Sequence, residues 1–147
     1  MATYVKLDGF VEHLAEGVHN LATHQLVVAL TNTAPGSEST PPTGATGTNV
    51  LANLTQIAYT NLSTRNITTS SSGQTAGTYK LILADLVLTS TGGTTGPFRY
   101  VYVLNDTPTS PADPLIMYCD YGSSITLQDG ETFTLDFHAT NGLFSLT

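Results

Sequence analysis

The run Gly96-Pro-Phe-Arg-Tyr-Val-Tyr-Val-Leu-Asn-Asp106 constrains the fold of this chain most, because it is the densest stretch of aromatic and β-branched residues in it. Such residues favour a pleated strand. Strand side chains alternate with period two, so Phe98, Tyr100, Tyr102 and Leu104 are expected on one face and Val101 and Val103 on the other. Both faces are then largely apolar. That fits the middle of a sandwich or an oligomer interface rather than a sheet face open to water. Pro97 stands at the entrance, where its missing N–H costs no ladder bond. Arg99, inside the run, must reach the edge or meet a carboxylate.

Other segments supply strands to surround it. His24–Thr33 is an apolar run ended by Ala34-Pro35. Thr78–Thr89 is a second, with a bulge or bend expected near Ala84 because Asp85 falls in an apolar frame. The glycine-rich turn from Thr91 to Gly96 predicts that this strand and Phe98–Leu104 form an antiparallel hairpin. Arg65–Ser71 reads as a polar strand, with a turn at Ser72-Gly73 and Gly77. Asn105–Pro114 is a proline-rich loop, and Leu115–Tyr121 a strand. Ser123–Leu127 and Glu131–His138 read as a second hairpin around Gln128-Asp129-Gly130, and Leu143–Leu146 as a short last strand.

Near the start, Phe10, Val11, Leu14, Val18 and Leu21 recur at helical spacing, with Asp8 as cap and Glu12, His13, Glu16 and His19 on the opposite face. A helix of about three turns follows from that pattern. Val50–Ala58 carries spacing for a further helical turn. The whole pattern predicts one domain over 1–147: an all-β antiparallel sandwich, jelly-roll-like, of about eight strands with one short N-terminal helix. Two segments stand apart from it, the N-terminal residues 1–7 and the Pro-, Gly- and Thr-rich stretch 33–49, read as a long loop or arm.

The chemistry of the surface narrows the function. Four Lys and Arg against eleven Asp and Glu give a net charge of −7, which argues against direct binding to nucleic acid or anionic lipid. Only 10% of residues are charged, against roughly 25% in an ordinary soluble domain, and hydroxyls and amides carry solubility instead. A surface of this kind suits a permanent assembly. The N-terminus lacks the apolar segment of a secretory signal, and no window is long enough to span a membrane. Synthesis in a cytoplasm is the corresponding expectation.

No catalytic or cofactor constellation emerges from the spacing. His13, His19, His24 and His138 have no metal spacing on one element and read as solvated or boundary residues. Asp106, Asp113 and Asp120 do not form a calcium loop and read as solvated or capping carboxylates. Cys119, the single cysteine, reads as a buried small hydrophobe. Ser70, Ser71 and Ser72 lack a nucleophile setting. Tyr100, Tyr102, Tyr118 and Tyr121 would be the residues of a sugar-stacking face, set against a plain core role. The expectation is a non-enzymatic protein without cofactor or metal.

The helix Phe10-Val-Glu-His-Leu-Ala-Glu-Gly-Val-His-Asn-Leu21, the strand Leu26-Val-Val-Ala-Leu-Thr-Asn-Thr-Ala-Pro35, and the later Gly96-Pro-Phe-Arg-Tyr100 and Leu127-Gln-Asp-Gly-Glu-Thr-Phe133 together resemble small virion structural proteins of tailed bacteriophages. Among these, the sequence is most similar to a capsid cement or decoration protein. The resemblance implies a homo-oligomer, dimer or trimer, on the outer surface of the head, bridging copies of the major capsid protein. A tail or fibre component with receptor or glycan affinity is the alternative. On the cement reading the contact candidates are Tyr4 and Lys6 in the first segment and Pro35, Glu38, Pro41, Pro42 and Thr48 in the second. The cations Arg65 and Arg99 complete the set.

Overall fold

The structure, a computed structural model, describes residues 4–36 and 49–147. In chain order the elements are β1 (Tyr4–Lys6), α1 (Asp8–Ala15), β2 (Leu26–Thr31), a 3₁₀ turn (Leu51–Asn53), β3 (Asn66–Ile67), β4 (Thr69–Thr75), β5 (Thr78–Leu83), β6 (Leu86–Thr89), β7 (Thr95–Asn105), β8 (Leu115–Leu127), β9 (Thr132–Leu135) and β10 (Phe144–Leu146). They form an all-β, antiparallel, sandwich-like fold with one short helix. A five-stranded sheet has the order β1-β8-β7-β2-β3, a three-stranded sheet β10-β5-β4, and β6 pairs with β9. Ten strands form among the described residues, where the sequence suggests about eight.

β7 is the middle strand of the largest sheet, flanked by β2 and β8. β2 is buried at every position, and its register places Val28 opposite Val103 and Leu30 opposite Val101. Leu26, Val28, Leu30, Val101 and Val103 join Leu81, Leu83, Leu88, Ile116 and Leu135 in the main core between the large sheet and the smaller ones. Val27, Ala29, Tyr100, Tyr102 and Leu104 form a second core on the outer face with Leu7, Leu54 and Leu115. Burial on both faces follows from the apolar content on both sides of these strands.

One detail of the expected alternation is corrected. Phe98 lies in the main core with Val101 and Val103, not with Tyr100 and Tyr102. The ladder is irregular there: Phe98 faces Ile125, whereas Tyr100 faces Asp120. Gly96 enables the close approach, since a Cβ on it would lie 2.8 Å from the Ile125 carbonyl oxygen and its φ is +126°.

Neither expected hairpin forms. Asp85 divides the segment Thr78–Thr89 as the bend near Ala84 anticipates, and its Oδ1 accepts a 2.8 Å bond from the Phe137 N–H. The halves go to different partners, β5 to β4 and β10, β6 to β9. β8 does not end at Tyr121; it continues past Gly122 (φ +95°) to place Leu127 opposite Thr95 of β7. This leaves β9 to β6. Ser72 and Gly73 are inside β4, and the chain reverses at Ala76 and Gly77, both with positive φ. The helical turn expected in Val50–Ala58 is limited to Leu51–Asn53.

The helix is shorter than its apolar repeat suggests. Leu7, not Asp8, is its N-cap, and no side chain caps it. At the other end Gly17 (φ +77°) closes a Schellman motif, in which Val18 N–H donates to His13 O at 2.8 Å and Gly17 N–H to Leu14 O at 3.2 Å. The buried face is Gly9, Phe10 and His13, while Val11 is 50% exposed. Gly9 lets the helix lie close to Asn49, whose amide would collide with any side chain there. The described ends of the stretch 33–49 are thus part of the body: Ala34 packs on the outer core and Asn49 is fully buried.

Candidate functional site

The early end of α1 brings three histidines together. Beyond Gly17 the chain turns inward, and His19 becomes 6% exposed and His13 3% exposed. They are buried, not solvated as the sequence suggests. The His13 and His19 rings lie 5.9 Å apart and Phe10 packs 5.1 Å from His19. Asn105, at the end of β7 and fully buried, organises the group. Its Oδ1 accepts from the Thr107 N–H at 3.3 Å, which leaves Nδ2 to donate to His19 Nδ1 at 3.1 Å and His24 Nδ1 at 3.0 Å. The Asn20 N–H also donates to His24 Nδ1 at 3.3 Å.

These bonds select a tautomer. A neutral imidazole has one acceptor nitrogen and one donor, so accepting at Nδ1 places the proton of His19 and His24 on Nε2. Burial, with smaller contributions from His13 and His24, pushes the His19 pKa down to about 4, so the ring is neutral near pH 7. Among the described residues, His19 Nε2 and His13 Nδ1 are buried without a hydrogen-bond partner.

His19 also lines an open groove of about 450 Å³ between the α1–β2 connection and the β4–β5–β10 sheet. Leu14, Leu21, Ala22 and Leu146 supply apolar wall, Asn20 adds a polar side chain beside His19, and Ser72 and Tyr79 stand on the sheet side. The last two satisfy each other, with Ser72 Oγ 2.8 Å from the Tyr79 hydroxyl.

The predicted contact residues do not converge. Tyr4 and Lys6 belong to β1, at one edge of the large sheet, opposite Cys119 and Met117. Tyr4 stacks on Phe137 at 5.9 Å, and burial raises its phenol pKa. Arg65 is at the opposite edge, beside β3; four strand spacings separate the edges, on the order of 19 Å. Its guanidinium lies 3.8 Å from the centre of the Tyr59 ring and donates to the Val28 carbonyl. Arg99 meets the carboxylate its position called for, through Nε to Asp120 Oδ1 at 2.7 Å and Nη2 to Oδ2 at 2.8 Å. Pro35 is half-buried, and Glu38, Pro41, Pro42 and Thr48 lie outside the described residues.

Other expectations separate in the same way. Cys119 is buried, and that burial raises its thiol pKa. Tyr100 and Tyr102 are core residues and Tyr118 is half-buried, so of the candidate sugar face only Tyr121 is exposed. Among the described residues no three His, Cys, Asp or Glu side chains are grouped to hold a metal ion. No described helix is long and apolar enough to cross a membrane. No family model, curated protein or solved structure matches the chain.

Proposed function

We propose that this chain is a virion structural protein of a tailed bacteriophage, acting as a capsid cement: a homo-oligomer on the outer surface of the head that bridges major capsid proteins. The observation that carries the reading is β4. Its sequence, Thr-Ser-Ser-Ser-Gly-Gln-Thr, is uncharged and free of proline, and it is the outer strand of its sheet. Free monomers usually guard such an edge with lysine, proline or a covering loop, because open backbone groups recruit other chains. Apart from the register shift between Thr69 and Ser71 at its start, the edge carries none of these guards, and such a polar edge suits a protein whose neighbours supply the missing cover. The low surface charge and the resemblance in the helix and β2 support the same reading. The stretch 33–49 adds a segment rich enough in Pro, Gly and Thr to spread over a neighbour at a cost in chain entropy.

The tail or fibre alternative draws on Tyr121. The residue is 48% exposed and its ring is held edge-on to Phe133 at 5.5 Å, an aromatic surface of the kind that stacks on sugars. Cryo-electron microscopy of particles with and without the protein separates the two. Cement function gives extra density over junctions on the outer head, and deletion of residues 36–48 weakens its binding. Density confined to the tail would transfer the reading to the alternative. Undiminished head binding by the deletion variant, with both segments resistant to limited proteolysis in the free protein, would remove the arm from the reading.

A further inference from the structure

The phase of the β4–β5 pairing fixes which backbone groups of β4 face outward. The hairpin turns through Ala76 and Gly77, both at positive φ, as a two-residue primed turn. Its flanking residues, Thr75 and Thr78, are a hydrogen-bonded pair, and such pairs alternate along an antiparallel ladder. Thr75, Gly73 and Ser71 therefore direct their N–H and C=O groups to β5, while Gln74 and Ser72 direct theirs away. No described strand lies on that outer side. The register shift between Thr69 and Ser71 bends the strand at its start, so the regular open edge runs from Ser71 to Thr75. Among the described strands β1, β3, β6, β9 and β10 also have one strand neighbour each, but none is longer than four residues, and shortness is itself a guard. Gly73 stands in the middle of the edge. Its φ is not positive, and no described atom beyond its chain neighbours lies within 4 Å of where its Cβ would stand. Glycine weakens a strand interior, and where no bulge or turn requires it, it marks close approach of another backbone.

We infer that β4 is the contact strand of a two-fold dimer, pairing antiparallel with β4 of a second copy about an axis at Gly73. In this register Ser72 of each copy exchanges both backbone bonds with Gln74 of the other, so every outward group of the regular edge is satisfied. Gly73 meets Gly73 of the second copy as a non-hydrogen-bonded pair, where Cα atoms come closest, about 4.5 Å apart. Ser71 stands opposite Thr75 of the second copy, and hydroxyl pairs of this kind favour a ladder. Charge selects the partner. The chain carries −7, so copies repel over most of their surface, yet Thr69–Thr78 holds no charged residue and meets its own image without like charges in register. A basic partner would gain nothing from so neutral an edge. The inference rests on the use of β4 as an assembly edge in the cement reading, and names what covers it.

The test uses the full chain without capsids. One short strand pair buries less than the roughly 1,200 Å² of a standard interface, so sedimentation equilibrium should show a weak dimer, with a Kd below about 1 mM. In nitrogen–proton spectra the Ser72 and Gln74 amides should shift with concentration and exchange at least about tenfold more slowly in the dimer. The Gly73 amide, paired to β5, should be protected at every concentration. Gly73→Lys and Gly73→Glu each set like charges opposite one another at the axis, and each alone should weaken the dimer about threefold or more. Mixed together they should restore it. Ser72→Pro, whose lost N–H belongs to no bond with β5, should weaken the dimer at least about tenfold and serves if a glycine variant fails to fold. A monomer at about 1 mM would overturn the inference. So would a dimer whose Ser72 and Gln74 amides exchange as in the monomer, or folded charge variants that dimerise unchanged or are not rescued by mixing. A monomer that still gives density on the head sinks this inference and leaves the cement reading, whereas a dimer that binds no head does the reverse.

Discussion

β7 and β4 are strands of the same molecule under opposite conditions. β7 pairs on both sides and buries both faces, and its residues from Tyr100 to Asn105 are all buried. β4 pairs on one side only, and most of its residues are exposed. The first is specified by packing: every side chain has neighbours that would register its loss. The second is specified by its backbone ladder to β5, so its side chains are available for another purpose. Between them lies the histidine corner, where Asn105 at the end of β7 holds His19 beside the open groove that Ser72 and Tyr79 line from the other side.

The contrast predicts a graded response. Phe98→Ala, in the centre of the main core, should destabilise the fold by about 3–5 kcal/mol, from lost transfer energy and the cavity left behind, measured by denaturant unfolding. A cost below about 1 kcal/mol would mean that β7 is not packed as described.

Acidification should act at the corner. In the unfolded chain His19 takes up a proton near its ordinary value of 6.5, whereas in the folded chain burial and the neighbouring histidines delay this to about 4. The unfolded state therefore binds more protons between those values. The stability contribution is fully present above pH 6.5, declines as pH falls towards 4, and is lost below it, amounting to about 3 kcal/mol over the window. His19→Phe should flatten the pH dependence of unfolding between pH 6.5 and 4. An unchanged slope would assign it elsewhere.

The smallest effect on folding is expected at β4. Ser71→Lys, at an exposed edge position, should alter stability by less than about 0.5 kcal/mol while guarding the edge. On the cement reading the same change should reduce oligomer formation or head binding. If sedimentation and head-binding measurements both stay unchanged, the edge is not an assembly surface.

These regions were not equally legible in the sequence. β2 and β7 stand out because uninterrupted runs such as Leu-Val-Val-Ala-Leu leave little choice but a buried strand. The expected partner of β7, the strand Thr78–Thr89, is not its neighbour, because adjacency in sequence gives adjacency in a sheet as a tendency and not a rule. Asp85 marked the division of one strand, but nothing local says that its halves go to β4 and β9. Gly122 looked like an ending and instead lets β8 continue. The histidine corner was missed for a different reason. His13 and His19 are on the polar face of a helix drawn through to Leu21, yet Gly17 is the residue expected just past a helix end. Ending the helix there takes His19 off that face. Asn105 carries no signal of its role at the corner, since its histidine partners lie more than eighty residues away.

The irregularity between Phe98 and Tyr100 gives the central strand a phase slip. Upstream of it one parity of residue enters the main core, and downstream the other does. On β7 the slip falls at Arg99, whose side chain leaves the sheet for Asp120, while on β8 the same interval takes in residues 121–124. Loss of that one residue would put Phe98 and Val101 on the same face of β7 by simple alternation. Loss of Val101 or Tyr102 would instead exchange the two faces for everything on one side of the gap. The ladder to β8 also shifts between Thr95 and Phe98 and between Val103 and Leu104, but the change of face in β7 coincides with the one strongly polar side chain in its interior.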